Sequence, residues 1–224
     1  ARYIETGLCD AALVGGVDSL CSTTLYGFKS LDLISKTPCS PWDKNRSGIS
    51  IGEAAGYALL EPQSQADGDL MLCGEGESSD AYHMSRPHPQ GLGARLAIEQ
   101  ALSKANLTGA DIDHVLLHGT GTLANDAAED LAVHTVLGSK VLCSSIKGAT
   151  GHTLGAAGIL NALIGLQALK HSVFPATCNT LVKDPGLNVN IARSVTQRPF
   201  NYLLSNAFGF GGSNCSLIFG KMTA

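Results

Sequence analysis

The sequence is poor in charged and aromatic residues. Only 15% of its 224 residues are Asp, Glu, Lys or Arg, and 5% are aromatic, with a single tryptophan. Since 44% of the residues are hydrophobic, a disordered, highly charged chain is excluded. The formal net charge of −4 argues against a basic nucleic-acid-binding protein. The length suits one large domain, or one and a half, with a sizeable core.

Several common motifs are missing. The seven cysteines are scattered and form no CxxC pair, so neither a disulfide framework nor a zinc ribbon is indicated. No P-loop and no GxGxxG fingerprint occurs, and the GxSxG match at 48–52 (GISIG) follows a predicted loop and precedes a predicted strand, so it is not a strand-turn-helix elbow. These observations argue against an α/β-hydrolase, a P-loop NTPase and a dinucleotide-binding enzyme.

Long apolar runs are missing too. The longest nearly apolar stretch, 154–169, is shorter than the ~20 residues that a membrane span needs, and no signal peptide opens the chain. Scattered cysteines are typical of a reducing cytosol, so we expect a cytoplasmic protein without a membrane span. The start at Ala1, within a helix-like segment, predicts a piece of a longer protein.

Glycine, by contrast, is abundant, with 26 residues and no collagen-like period. Three glycine-rich turns follow predicted strands: HGTGT (118–122), KGATGHTLGAAG (147–158) and NAFGFGG (206–212). The strands are predicted at 10–16, 54–60, 70–74, 112–117, 141–146, 203–206 and 215–219, and the helices at 1–8, 94–105, 127–137 and 154–169. A turn is expected at 61–69, and polar loops at 38–48 and 78–93. Alternating strands and helices indicate a layered α/β fold, whose ligands bind at strand ends.

Polar residues in the first turn suit an elongated polar ligand, because the hydroxyls of Thr120 and Thr122 follow His118 beside glycines that let a ligand approach. We expect Asn125 and Asp126 to cap the next helix, with Asp126 and Glu129 also able to orient polar groups.

The second and third turns carry further candidates. Lys147 and His152 precede an apolar helix, an arrangement that suits anion binding. In the third turn we expect Phe208 to pack and Phe210 to act as a gate. A metal shared by His114 and His118 is not favoured, since residues four apart on a strand are too far from each other.

These turns resemble the signature segments of the β-ketoacyl-ACP synthases, in the thiolase-like superfamily. Further segments match in the same order: DAALVGGVDS (10–19), PWDKNRSGISIGEAAG (41–56) and SSDAYHMSRP (78–87). The resemblance implies a thiolase-like, layered α-β-α-β-α fold, with 1–62 ending the N-terminal half and 63–224 forming the C-terminal half. It implies acyl carrier protein (ACP) as a partner, and a homodimer or ketosynthase-like heterodimer. It implies no metal, and no cofactor beyond the 4′-phosphopantetheine arm that carries the substrates.

The resemblance also implies an activity, a decarboxylative Claisen condensation of an acyl thioester with malonyl-ACP, in fatty acid or polyketide-type synthesis. The catalytic residues would be His118, His152 and Lys147. The remaining implied roles are oxyanion donation and gating (Phe210, Phe208), pantetheine binding (Thr120, Thr122) and support (Asp126, Glu129, Asn206). Two neutral imidazoles would stabilise the enolate that forms when malonate loses carbon dioxide.

The sequence departs from the family pattern in two ways. The family's nucleophilic cysteine is expected upstream of Ala1, so we expect the chain alone to be inactive and to expose apolar surface. We predict that all seven cysteines are small buried hydrophobes. Asn161 stands where many elongating members have a glutamate. Two alternatives remain open: a non-catalytic partner similar to chain-length factors, and a thiolase, for which Cys215 would be the second active cysteine.

Overall fold

The structure, a computed structural model, describes residues 1–63 and 70–221. The α-helices in these ranges are α1 (Arg2–Glu5), α2 (Ser22–Ser30), α3 (Leu92–Ala105), α4 (Leu123–Leu137), α5 (Lys147–Thr150) and α6 (Ala157–His171). The strands are β1 (Ala12–Asp18), β2 (Ala54–Leu60), β3 (Leu70–Ser79), β4 (His114–Leu116), β5 (Leu142–Ser144), β6 (Val173–Phe174), β7 (Asn190–Ile191), β8 (Thr196–Gln197), β9 (Tyr202–Phe208) and β10 (Ser213–Lys221).

The largest sheet has six strands in the order β3-β10-β9-β4-β5-β7. Four of its strands run parallel to one another, namely β9, β4, β5 and β7. Strand β10 runs antiparallel to both of its neighbours, β9 and β3. Leu116 of β4 is level with Ser144 of β5 and Ser205 of β9. The glycine-rich turns that follow these three strands therefore meet at one edge of the sheet.

Apolar clusters cover both faces of this sheet. Val115 and Leu117 lie on the face that α3 and α4 cover, whereas Leu116 lies on the face that α6 covers, as strand alternation requires. Helix α6 packs against β9 on one side and against the antiparallel pair β1–β2 on the other. The layers are thus helix, sheet, helix, sheet.

Helix α6 is apolar nearly all round because sheets cover two of its sides. At Gly165 an added Cβ would lie 2.8 Å from Cδ2 of Leu203, so a larger residue would fit only if this leucine side chain moved. At Gly155 a Cβ would lie 3.1 Å from a carboxylate oxygen of Asp18, which is also tight. A Cβ at Gly158 would be 3.6 Å from that of Ala207, an ordinary contact, so this position has room for an alanine.

The predicted elements are found with shifted ends. Strand β3 continues to Ser79, where a loop from residue 78 was expected, because β3 pairs with β10 along its whole length. A 3₁₀ turn, Leu154–Ala156, precedes α6, so the predicted start of this helix at residue 154 was three residues early. The short strands β6, β7 and β8 were not predicted. The turn expected at 61–69 lies largely outside the described residues.

The pair β1–β2 presents an apolar face to solvent. Leu13, Val17, Tyr57 and Leu59 are 58–73% exposed and lie on the same face of the pair. Exposure of apolar surface, which we expected, is therefore confirmed. Within residues 1–63 and 70–221, no helix combines the length and apolar character that crossing a bilayer requires.

Candidate active site

A cavity of about 970 Å³ opens at the sheet edge where the three turns meet. Its walls include side chains from all of the turns, namely those of His118, Thr120, Thr122, His152, Phe208 and Phe210. Lys147, Asp126, Glu129 and Asn206 are buried behind this wall. The structure therefore brings the predicted site residues together in two layers, one facing the cavity and one supporting it.

The two histidines face each other at the cavity wall. Their ring centroids are 5.2 Å apart, and the rings are nearly perpendicular. Burial, and after it the nearby charge of Lys147, lowers the pKa of His118 well below its usual value and that of His152 to about 3. Both imidazoles are therefore neutral at physiological pH.

Hydrogen bonds select the same tautomer for both rings. Nδ1 of His152 accepts from the backbone N–H of Leu154 at 3.2 Å, so the ring proton is on Nε2. Nδ1 of His118 faces the ammonium of Lys147, with Nζ 3.4 Å away, which likewise leaves the proton on Nε2. Each ring can thus donate one N–H bond from its other side.

Lys147 is fully enclosed. Its Nζ donates to the carbonyl oxygen of His118, and only 2% of the residue is exposed. Burial lowers the pKa of Lys147 to about 8, and the nearby acid Glu129 opposes this shift. An ammonium therefore lies directly behind one of the two imidazoles at neutral pH.

Glu129 holds the backbone of the first turn. Its two carboxylate oxygens accept from the N–H groups of His118 and Gly119, at 2.7 and 2.8 Å, and one of them also accepts from Nδ2 of Asn206 at 3.1 Å. Burial raises the pKa of Glu129 to about 7, and these hydrogen bonds oppose the shift. The predicted supporting residues Glu129 and Asn206 are therefore connected directly.

The start of α4 differs from the prediction. Thr122 caps the helix, because its hydroxyl accepts from the N–H of Asn125 at 3.3 Å. The expectation that Asn125 and Asp126 are the caps was wrong, since the helix begins at Leu123. The Thr122 hydroxyl also lies 2.9 Å from that of Thr120, so both hydroxyls stay at the cavity wall.

Asp126 instead anchors a segment whose role the sequence did not reveal. Its carboxylate accepts from the N–H of Gly121 and from that of Trp42, and it pairs with Arg46 at 3.2 Å. Arg46, which is buried, also pairs with Asp184 at 2.6 Å. Burial raises the pKa of Asp126 to about 6, and the Arg46 charge opposes this shift. The only sequence signal for this role was the lone tryptophan, Trp42, with Arg46 shortly after it in a segment rich in turn residues.

The two phenylalanines of the third turn have different surroundings. The ring of Phe208 lies 5.7 Å from that of His118, centroid to centroid. Phe210 is 52% exposed and contacts Phe28 of α2, with 5.5 Å between ring centroids. Gly211 and Gly212 after it have φ values of 85° and 82°, which favour glycine. Phe210 is therefore the less constrained ring of the two.

The cysteines do not form one class. Only Cys39 and Cys143 are buried, so the prediction of seven buried cysteines was right for these two alone. The exposed ones are Cys21 and Cys178, and the partly buried ones are Cys9, Cys73 and Cys215. Cys215 lies on β10 and lines the cavity, and burial raises the pKa of its thiol to about 11. Burial raises that of Cys39 to about 11 as well. These two thiols are therefore protonated at neutral pH and are weak nucleophiles.

Two family models match the chain. The model of the β-ketoacyl synthase N-terminal domain matches residues 1–66, and that of the β-ketoacyl synthase C-terminal domain matches residues 71–181. The chain belongs to the β-ketoacyl synthase family. Its relatives in this family include 3-oxoacyl-[acyl-carrier-protein] synthase 2 of Vibrio harveyi, which is 38% identical over 99% of the chain. Another is the mitochondrial 3-oxoacyl-[acyl-carrier-protein] synthase of Arabidopsis thaliana, 36% identical over 99%. The chain spans 58% and 52% of these two proteins.

Solved ketosynthases have the same fold. A ketosynthase (ApeO) in complex with its chain length factor (ApeC), from Xenorhabdus doucetiae, matches with a TM-score of 0.93 and 43% identity, over 98% of this chain and 55% of that one. A β-ketoacyl synthase from Burkholderia phymatum matches with a TM-score of 0.94 and 31% identity, over 99% and 57%. The predicted thiolase-like α/β fold is therefore confirmed.

Proposed function

We propose that this chain supplies the enolate-stabilising part of a β-ketoacyl-ACP synthase site. One observation carries the proposal: two neutral imidazoles, that of His118 buried and that of His152 partly buried, meet at the wall of a deep cavity, and each has its Nε2 proton free to donate. The reaction would be the decarboxylative Claisen condensation of an acyl thioester with malonyl-ACP. The relatives in this family are longer than this chain. We therefore assign the activity to a site that residues outside this chain complete.

The geometry supports a specific division of work. The Nε2–H groups of His118 and His152 would donate to the thioester oxygen of the malonyl group. As the bond to the carboxylate breaks, its electron pair forms the enolate, carbon dioxide leaves, and the two N–H bonds hold the negative charge. The enolate carbon then attacks the acyl thioester, whose own oxyanion would accept from the N–H of Phe210. When this oxyanion collapses, the acyl carbon–sulfur bond breaks and the sulfur leaves as a thiolate. The ammonium of Lys147 adds positive charge behind His118.

The cavity walls suit a substrate on a long arm. The hydroxyls of Thr120 and Thr122 would bind the amides of the 4′-phosphopantetheine arm of ACP, and Phe210 with Phe208 would gate the acyl pocket. Asp126, Glu129 and Asn206 would keep the turns in place. We propose ACP as the partner, within a homodimer or a ketosynthase-like heterodimer. We place the boundary between the N-terminal and C-terminal halves between residues 62 and 63. Strands β1 and β2 precede this point in the sequence, and all strands of the six-stranded sheet follow it.

The first prediction concerns the imidazoles. In a protein that also carries the expected nucleophile segment, His118→Ala and His152→Ala should each lower the rate of carbon dioxide release from malonyl-ACP by about 10²–10³-fold, because each removes one donor to the enolate. The rate is measured with radiolabelled malonyl-ACP, and His171→Ala, on the exposed end of α6, is the matched control.

A folded His118→Ala protein that still releases carbon dioxide at the wild-type rate would contradict the proposed role. The same assay distinguishes the alternative of a non-catalytic partner subunit. Such a subunit would release no carbon dioxide even with both histidines intact. Retention of His118, His152 and Lys147 in one contact network favours the enzyme.

A further inference from the structure

Helix α6 carries one amide on its buried side. Asn161 is 2% exposed, whereas the other buried residues of this helix are alanine, leucine and glycine. Its Nδ2 donates to the carbonyl oxygens of Leu117 and Asn206, both at 3.2 Å. Two carbonyl oxygens can be met only by a donor, so the NH₂ group faces them. The buried Oδ1 has no hydrogen-bond partner among residues 1–63 and 70–221, an expensive arrangement that calls for a reason.

The bond to Leu117 acts directly on the backbone of His118. The Leu117 carbonyl and the His118 N–H belong to the same peptide group, and that N–H donates to Glu129 at 2.7 Å. This peptide is thus held at both ends, by Asn161 and by Glu129. The next peptide is held in the same way, since the Gly119 N–H donates to Glu129 and the His118 carbonyl accepts from Lys147.

The second bond ties this turn to strand β9. The carbonyl of Asn206 accepts from Asn161, while the side chain of Asn206 donates to Glu129 at 3.1 Å. A closed ring of hydrogen bonds therefore runs from Asn161 through the Leu117–His118 peptide, Glu129 and Asn206, and back to Asn161. Without the amide of Asn161, the Leu117–His118 peptide would lose the hydrogen bond to its carbonyl oxygen and keep only the one from its N–H to Glu129.

We propose that Asn161 is a positioning residue for His118, acting through the Leu117–His118 peptide and the link to β9. The site requires a neutral donor at this place, because two carbonyl oxygens face it. An aspartate of the same size would present acceptors only, unless it were protonated. The kinetic consequence rests on the proposed function, whereas the effect on the backbone does not.

The test compares Asn161→Leu with Gln167→Leu. Both variants replace an amide of α6 by an aliphatic side chain, but Gln167 is exposed. In the otherwise unchanged protein, Asn161→Leu should speed hydrogen exchange of the His118 and Gly119 amides, while Gln167→Leu should not. In the malonyl-ACP assay, Asn161→Leu should lower kcat about tenfold to a hundredfold with little change in KM, because the imidazole is misplaced rather than removed.

Asn161→Asp provides a readout that a merely structural role would not give. Burial beside two carbonyl oxygens raises the pKa of a carboxyl group, and only its protonated form can donate to one of them. Relative to wild type, activity and amide protection should therefore be highest at low pH and fall as the pH rises. This variant also serves if Asn161→Leu does not fold.

The proposal is overturned if Asn161→Leu leaves both exchange and kcat unchanged, or if Asn161→Asp has the wild-type pH profile. A wild-type protein that releases no carbon dioxide would refute the proposed function instead. In that case faster exchange of the His118 and Gly119 amides in Asn161→Leu would still support the positioning role, and unchanged exchange would overturn it.

Discussion

At the scale of single residues, the site depends on keeping one ammonium and two neutral rings together in a buried space. The backbone N–H of His118 donates to the carboxylate of Glu129, and its carbonyl oxygen accepts from the ammonium of Lys147. The two charges offset each other across one residue, which lowers the cost of burying both. The imidazole between them stays neutral because burial and the adjacent ammonium both disfavour a second positive charge.

This arrangement predicts how decarboxylation depends on pH. Because burial lowers the pKa of Lys147 to about 8, the ammonium loses its proton as the pH rises through that value. Carbon dioxide release from malonyl-ACP should therefore fall as the pH rises through about 8. The pH–rate profile is measured for the wild type and for Lys147→Met.

Lys147→Met should lower the rate about a hundredfold and abolish the decline above pH 8, since no titrating ammonium remains. The exposed residue Lys170 offers a control, because Lys170→Met should retain both the rate and the alkaline decline. If the decline persists in Lys147→Met, another group is responsible for it.

At the scale of elements, glycines set how closely α3 lies on β3. At Gly76 an added Cβ would come 2.7 Å from the backbone nitrogen of Ala101 and 2.9 Å from the backbone carbon of Ala97. Backbone atoms inside a helix cannot move aside as the end of a side chain can. At Gly27 of α2, by contrast, no atom of the described residues lies within 4 Å of the added Cβ.

Substitutions of Gly76 and Gly27 should change stability in opposite directions. Gly76→Ala should lower the free energy of unfolding by about 1–3 kcal/mol, since α3 must shift away from β3. Gly27→Ala should raise it by about 0.5–1 kcal/mol, since alanine favours a helix. Both are measured by urea denaturation with the fluorescence of Trp42, which is fully buried. Equal effects of the two substitutions would show that α3 tolerates a shift.

Sequence patterns predicted β4, β5, β9, α4 and α6, because strand alternation and helical spacing are local properties. They did not predict the short helix α5, which begins at Lys147. The same patterns placed His118, His152, Lys147 and the third turn at one sheet edge. They did not reveal Arg46, which acts through a fold-dependent contact with Asp126 across 80 residues of chain. They misplaced the cap of α4, since Thr122, Asn125 and Asp126 are all good caps and only the backbone conformation decides between them.

At the scale of the whole molecule, the apolar face of β1–β2 affects solution behaviour. Leu13 and Leu59 are directly opposite each other in the antiparallel register, and both are more than 60% exposed. Apolar side chains on a two-stranded sheet with open edges favour association. The isolated chain of 224 residues should therefore self-associate as its concentration rises.

Replacing both leucines by threonine should reduce this association, because threonine suits a strand but is more polar. Sedimentation velocity at several concentrations measures the effect. A matched control is Leu181→Thr, which changes a leucine that is 80% exposed outside the pair. Equal association of the wild type and the double variant would exclude this face as the cause.

The register of β4 against β9 determines when the site can exist during synthesis. His114 pairs with Leu203, so β4, which precedes His118, gains its neighbour β9 only after the ribosome has passed residue 203. Such distant pairing is slow, since a large loop must close first. A nascent chain that has reached only His152 therefore carries both imidazoles without the strand that fixes them. Chaperone binding at that stage would protect an unfinished sheet rather than a working centre.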